Sequence, residues 1–149
     1  MKQRIEDDLL FLEIEARKNK FTDPTVIDNC IHNIKRHIEL LEQIDKTPYQ
    51  EIMRLRRMII KAELPNCEMT YLLDGFKFTL YNNESEVLCN VIEHQYSYGN
   101  KNDLLELNGG LTKEEKSLDH VIGNLSAEEV FKRLKYCSEN NTRIYVSGE

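Results

Sequence analysis

The sequence predicts an α+β fold, with an N-terminal helical hairpin and three-helix element followed by an antiparallel β-meander packed by a C-terminal helix. Three observations carry this reading. Apolar residues recur at helical spacing from the N-terminus to about residue 63; after Pro65 the period shortens to two; and from Ser126 a capping serine reopens the helical pattern. At 149 residues the chain can bury ~70% of its unfolded surface, so a core needs no covalent or metal staple. The division is placed before Pro65, with 1–64 helical and a possible dimerisation element, and 65–149 an α+β domain with an antiparallel sheet and one covering helix.

In residues 2–19, Ile5, Leu9, Leu12 and Ala16 form one stripe that Phe11 and Ile14 widen, the pattern of an amphipathic helix. Thr22-Asp23-Pro24 supplies a capping side chain and then proline at the first helical position, which predicts a second helix over about 24–44. There Ile27, Ile31, Ile34, Ile38 and Leu41 follow alternating steps of four and three, a coiled-coil seam able to pair within the chain or with a second copy. Thr47-Pro48-Tyr49-Gln50 reads as a capping box, so a third helix is expected from Pro48 to about Glu63, with Ile52, Leu55 and Ile59 inward.

Beyond Pro65, Met69–Leu73 and Phe76–Tyr81 flank Asp74-Gly75, a two-residue hairpin signal whose turn needs positive φ. Asn82-Asn83-Glu84-Ser85 makes a second turn, Val87–His94 a third strand and Leu104–Leu107 a fourth, closed by Asn108-Gly109-Gly110. Residues 111–124 read as irregular. Ser126 and Glu129 form another capping box opening a helix to about Glu139, with Val130, Phe131, Leu134 and Cys137 as its buried stripe, and Arg143–Val146 reads as a last edge strand.

Charge is unevenly placed. Residues 1–65 hold 12 Lys+Arg and 12 Asp+Glu, so the 8 basic and 14 acidic residues that follow carry the whole net −6. This balance argues against direct nucleic-acid binding. The N-terminus carries acids where a signal peptide needs its apolar core, and no run reaches the ~18 apolar residues of a membrane span, so a cytoplasmic location with no membrane partner is expected. Cys30, Cys67, Cys89 and Cys137 lie far apart with no metal spacing, which predicts reduced thiols and neither metal nor cofactor.

Two groups of side chains are candidate binding residues. Arg54, Arg57 and Lys61 stand at i, i+3 and i+7 on one helix face, a spacing from which guanidinium groups can clamp phosphates. The ordinary alternative is a solvated face paired with Glu51 or with acids of the C-terminal part. Tyr96 and Tyr98 lie in the turn-rich loop Ser97-Tyr98-Gly99-Asn100-Lys101-Asn102-Asp103, with Asn100 beside them. Tyrosine offers contact area at low entropic cost and could stack on a base or fill a pocket on a protein, although one of the pair is equally suited to packing on the sheet. No catalytic signature accompanies them. Cys89 or Cys137 with His94 or His120 is the one combination that could serve a small hydrolase, given adjacency and an orienting group.

The stretches Ser97-Tyr98-Gly99-Asn100-Lys101-Asn102-Asp103-Leu104-Leu105-Glu106 and Gly123-Asn124-Leu125-Ser126-Ala127-Glu128-Glu129-Val130 resemble a pattern, SYGG-x-x-G-L-L/Y-E followed by G-x-L-[ST]-x-E-x-V, of small proteins encoded by phages and prophages of Gram-positive bacteria. The likeness spans about residues 87–135, and Asn100 and Asp103 stand where the pattern has glycines. It implies a phage accessory protein without an agreed activity. The expected function is therefore non-enzymatic binding, a counter-defence inhibitor that occupies a host protein, with a homodimer formed through the N-terminal helices. The alternatives are a sequestering protein for a phosphorylated nucleotide, such as a cyclic nucleotide or cyclic ADP-ribose derivative held by the arginines and tyrosines, and the Cys/His hydrolase.

Overall fold

The computed structural model describes residues 24–44 and 46–148. The helix expected over 2–19 lies outside the described residues. Helix α1 is Pro24–Ile44, opening on the proline that the sequence marks as its first residue. Ile31 and Ile38 of its seam are exposed and Ile27 and Ile34 half-buried, while the side chain of Leu41 is outside the described set. Helix α2 is Gln50–Lys61. Strands β1 (Cys67–Leu72), β2 (Gly75–Tyr81), β3 (Val87–Glu93), β4 (Leu105–Asn108) and β5 (Val121–Leu125) follow, with the short helix α3 (Lys113–Leu118) between β4 and β5, and helix α4 is Ala127–Asn140. Among the described residues no helix is long and apolar enough to cross a membrane.

The five strands lie in sequence order, each antiparallel to the next, so short local connections build the whole sheet. The first hairpin turns one residue earlier than expected. Leu72 pairs with Gly75, which makes Leu73-Asp74 the turn, and Leu73 takes the positive φ of +57°. Gly75 is needed for a different reason: a Cβ there would lie 1.9 Å from the carbonyl oxygen of Glu93, so the glycine lets β2 and β3 close together.

Helix α4 packs on β2, β3 and β4, and α2 packs beside α4. The core they enclose includes Ile52, Leu55 and Ile59 of α2, Val130 and Leu134 of α4, and Phe76, Phe78, Leu80, Val91, Leu105 and Leu107 of the sheet. By contacts the chain parts into compact units between Thr47 and Pro48. The buried stripe of α2 packs beside α4, and its first turn meets β3 where Ile52 N–H donates to Glu93 Oε2 at 2.9 Å.

Two further corrections fall near the C-terminus. The stretch 111–124, expected to be irregular, contains α3 and the edge strand β5. A capping box starts α3: Glu115 N–H donates to Thr112 Oγ1 at 3.2 Å while Thr112 N–H donates to Glu115 Oε2 at 2.8 Å. Arg143–Val146 is no edge strand but makes a single parallel bridge, Leu111 with Ile144, because the chain returns beside the short 110–111 segment instead of a full strand. On α4, Phe131 is half-buried while Arg133 lies buried within the stripe. Its guanidinium is satisfied by Glu115, Glu129 and the carbonyl of Gly110, at 2.7 to 3.1 Å, and lies 4.9 Å from the Tyr145 ring centroid.

Candidate functional site

The β3–β4 connection is held by its own polar groups. Gly99, at φ +101°, and Asp103, at φ +52°, flank a 3₁₀ turn over Asn100–Asn102, the two left-handed positions at which the chain reverses. Asn100 Nδ2 donates to the carbonyls of Gln95 (2.9 Å) and Ser97 (2.7 Å). Ser97 Oγ donates to the His94 carbonyl at 2.9 Å, and the Tyr96 N–H donates to His94 Nδ1 at 3.1 Å. Ser97 is the inward residue, so Tyr96 and Tyr98, two positions apart, both stay outside, 74% and 61% exposed. The Tyr96 ring meets His94 edge-on, with centroids 6.3 Å apart. Of the binding candidates, Asn100 is thus spent on closing the loop, and the two tyrosines are what the loop presents.

Three anchors fix that loop to the domain. Gln95 N–H donates to Asp74 Oδ1 in the β1–β2 turn at 2.9 Å, and Tyr98 N–H to Glu106 Oε2 on β4 at 2.7 Å. Against β5 the fit is by backbone: a Cβ on Gly123 would lie 2.3 Å from Tyr98 Cβ, and one on Gly99 would lie 2.9 Å from the Asn124 nitrogen. The stretches 97–106 and 123–130 therefore touch each other through Gly99 and Gly123.

A further tie runs to a pair of helix N-termini. Helix α2 begins at Gln50 with Tyr49 as its N-cap residue and no side-chain cap from it, so the capping box expected from Thr47 does not start this helix. The caps come from the sheet side instead. Glu51 N–H donates to Asp103 Oδ1 at 3.1 Å and Ile52 N–H to Glu93 Oε2 at 2.9 Å, satisfying two donors that a helix start leaves open. Glu51 in turn accepts the N–H of Ala127 at 2.6 Å, while Ser126 Oγ accepts that of Glu129 at 3.3 Å, at the start of α4.

Electrostatics at this end follow from burial. Glu93 is fully buried, and its Oε1 accepts no donor among the described residues. Desolvation first, then the adjoining Asp103 carboxylate, push its pKa up to about 8. A carboxyl raised this far favours its protonated form at neutrality, beside the Asp103 carboxylate. Tyr49 O–H donates to Asp74 Oδ2 at 2.5 Å; burial and this bond push the phenol up to about 12, and the same bond holds the Asp74 carboxyl below the usual range.

The predicted cations are not gathered at the loop. Arg54 pairs with Glu128 and, at 3.6 Å, with Glu51, the ordinary alternative for this face. Arg57 and Lys61 are exposed but sit ~4.5 and ~10.5 Å further along the helix axis. A cavity of about 350 Å³ lies past the end of α2, lined by Ala62, Leu64, Tyr81, Phe131, Lys135 and Asn141 among others, and its lining includes neither Arg57 nor Lys61. Cys89 and Cys137 are both fully buried, and a Cβ on Gly110 would lie 3.3 and 3.6 Å from their sulfurs. Their mutual hydrogen bond, together with burial, raises the Cys89 thiol. His94 follows Cys89 by five residues of extended chain, ~16 Å, and the exposed His120 lines a separate cavity with Asn108 and Arg143. Among the described residues no hydrogen bond joins Cys89 or Cys137 to His94 or His120. Among the described residues no cluster of three His, Cys, Asp or Glu could hold a metal ion.

Sequence reasoning missed Glu93, Asp103, Glu51 and Asp74. One signal was present: Glu93 continues the inward alternation of Cys89 and Val91, a carboxyl at an apolar position of β3. Compared with protein-family models, curated proteins and solved structures, the chain matches none of them.

Proposed function

We propose that this protein acts by occupancy rather than turnover: it binds a host protein through the tyrosine loop, in the bacterial cytoplasm, as the counter-defence role implied by the phage-protein resemblance requires. The observation that carries the reading is a loop in which the side chains of Ser97, Asn100 and Asp103 hold the shape while Tyr96 and Tyr98 face outward. Exposed aromatics on a pre-organised loop bind at low entropic cost. Buried thiols, with His94 and His120 elsewhere, favour this over the hydrolase.

Immobilised wild-type protein and a Tyr96→Ala/Tyr98→Ala variant are exposed to lysate of a Gram-positive host, and captured proteins are identified by mass spectrometry. The expected result is one protein retained stoichiometrically by the wild type and lost with the variant. Equal capture by both rejects the reading.

The nucleotide-sequestering alternative rests on the exposed cations Arg57 and Lys61 of α2. Calorimetry with a panel of cyclic nucleotides tests it, and absence of heat removes it. Self-association through α1 rests on the exposed Ile31 and Ile38 of its seam and predicts a dimer in sedimentation equilibrium that Ile31→Asp/Ile38→Asp dissociates.

A further inference from the structure

The backbone that carries each outward tyrosine also binds a carboxylate, at the tyrosine itself or at its neighbour. Glu106 on β4 accepts the N–H of Tyr98 itself, at 2.7 Å, and Asp74 in the β1–β2 turn accepts the N–H of Gln95, the neighbour of Tyr96, at 2.9 Å. Glu106 commits one oxygen to the loop, whereas Asp74 commits Oδ1 to the loop and Oδ2 to the Tyr49 O–H at 2.5 Å; in each carboxylate lone pairs remain for a further donor. A phenol ring beside a carboxylate matches the two faces of a guanidinium, whose plane stacks on an aromatic ring while its N–H fork meets a carboxylate. The loop holds two such units.

The surrounding charge agrees. Lys101 is the one cation of the loop and stands exposed. Arg54, the cation at the adjoining helix start, is neutralised by Glu51 and Glu128, and Asp74 is held in its ionised form by Tyr49. Resting on the occupancy reading above, we infer that the tyrosine loop recognises a basic, arginine-bearing segment of a protein partner, with Tyr96/Asp74 and Tyr98/Glu106 each receiving one guanidinium.

The test uses the full chain and three labelled peptides of one length: an arginine-rich peptide, its lysine counterpart and its glutamine counterpart. Fluorescence anisotropy gives affinity, and backbone-amide NMR gives location. The arginine peptide should bind more tightly than the lysine peptide by about fivefold, the factor a stacked guanidinium supplies, while shifting the amides of residues 95–99, and the glutamine peptide should not bind. Tyr96→Leu/Tyr98→Leu, which keeps apolar area but removes the ring faces, should abolish the arginine preference. Glu106→Gln, able still to accept the Tyr98 N–H, should weaken binding, and Lys101→Glu should strengthen it. Equal affinity for all three peptides, no binding of the arginine peptide, or an arginine preference that survives the leucine variant overturns the inference. Should tyrosine-dependent capture from lysate persist in any of these cases, the occupancy reading stands and only the chemistry assigned to the partner falls.

Discussion

Asp103 accepts the backbone N–H of Glu51 at 3.1 Å, across 52 positions of sequence, so the last residue of the tyrosine loop is also a cap of helix α2. Because the Glu51 carboxylate caps Ala127 in turn, at 2.6 Å, loop, α2 and α4 are joined by two successive backbone-to-carboxylate bonds. A loop tied in this way keeps its shape without a partner, and that pre-organisation lowers the ordering cost of binding.

Replacing Asp103 removes a cap and a residue tolerant of φ +52° together. Asp103→Ala should cost about 2 kcal/mol in urea denaturation, ~1 from the cap and ~1 from the left-handed backbone. Asp103→Asn, which keeps both an acceptor oxygen and the conformational tolerance, should recover most of it. Amide exchange in residues 95–103 should accelerate in the alanine variant.

Glu93 makes stability fall toward alkaline pH. Its folded pKa, raised to about 8 by burial and by Asp103, exceeds the unfolded value. Its contribution is therefore fully present below the ordinary carboxylate range, declines as pH rises above that range, and is lost once pH passes about 8. Glu93→Gln imitates the protonated form, with an oxygen for the Ile52 N–H and an amide donor for Asp103. Denaturation midpoints measured from pH 4 to 9 should decline in the wild type and stay nearly level in the variant over the alkaline part.

Arg133 is a buried cation whose removal leaves the Gly110 carbonyl and two carboxylates without their donor. Since Glu115 and Glu129 keep partial access to water, Arg133→Ala should cost about 2–3 kcal/mol, below the full penalty of breaking a wholly buried pair. Arg133→Met retains the stem and should lose less. Thermal melts of the two variants give the comparison.

Gly123→Ala places a methyl 2.3 Å from Tyr98 Cβ and 2.9 Å from the Tyr98 carbonyl oxygen. Loop and strand must separate, at a cost of about 1–3 kcal/mol as overpacking does. Partner capture should fall as far as in the double tyrosine variant, although both tyrosines remain. NMR shifts confined to residues 97–100 and 122–125 would locate the effect.

Most of the elements were legible because their signals are local. Period-two runs, the Pro24 start, the Ser126 cap and the apolar spacing of Ile52, Leu55 and Ile59 each depend on neighbours a few residues away, and each appears where the pattern places it. The same locality explains the errors. Asp74-Gly75 reads as a turn because glycine commonly supplies positive φ, yet Leu73 supplies it and Gly75 is reserved for contact with Glu93. Thr47 and Gln50 read as a capping box, yet the donors of α2 are met from β3 and the loop.

For the candidate site, composition alone determined that a turn-rich loop would display tyrosines and that its glycines would matter. Only the tertiary structure decided that both rings face outward, that Asn100 and Arg54 are occupied within the protein, and that carboxylates from β4 and a distant turn bind the backbone that carries the tyrosines. The physical reason is range: backbone preference and periodicity act over a few residues, whereas caps and charge pairs depend on which elements packing brings together, from positions as far apart as Glu51 and Ala127.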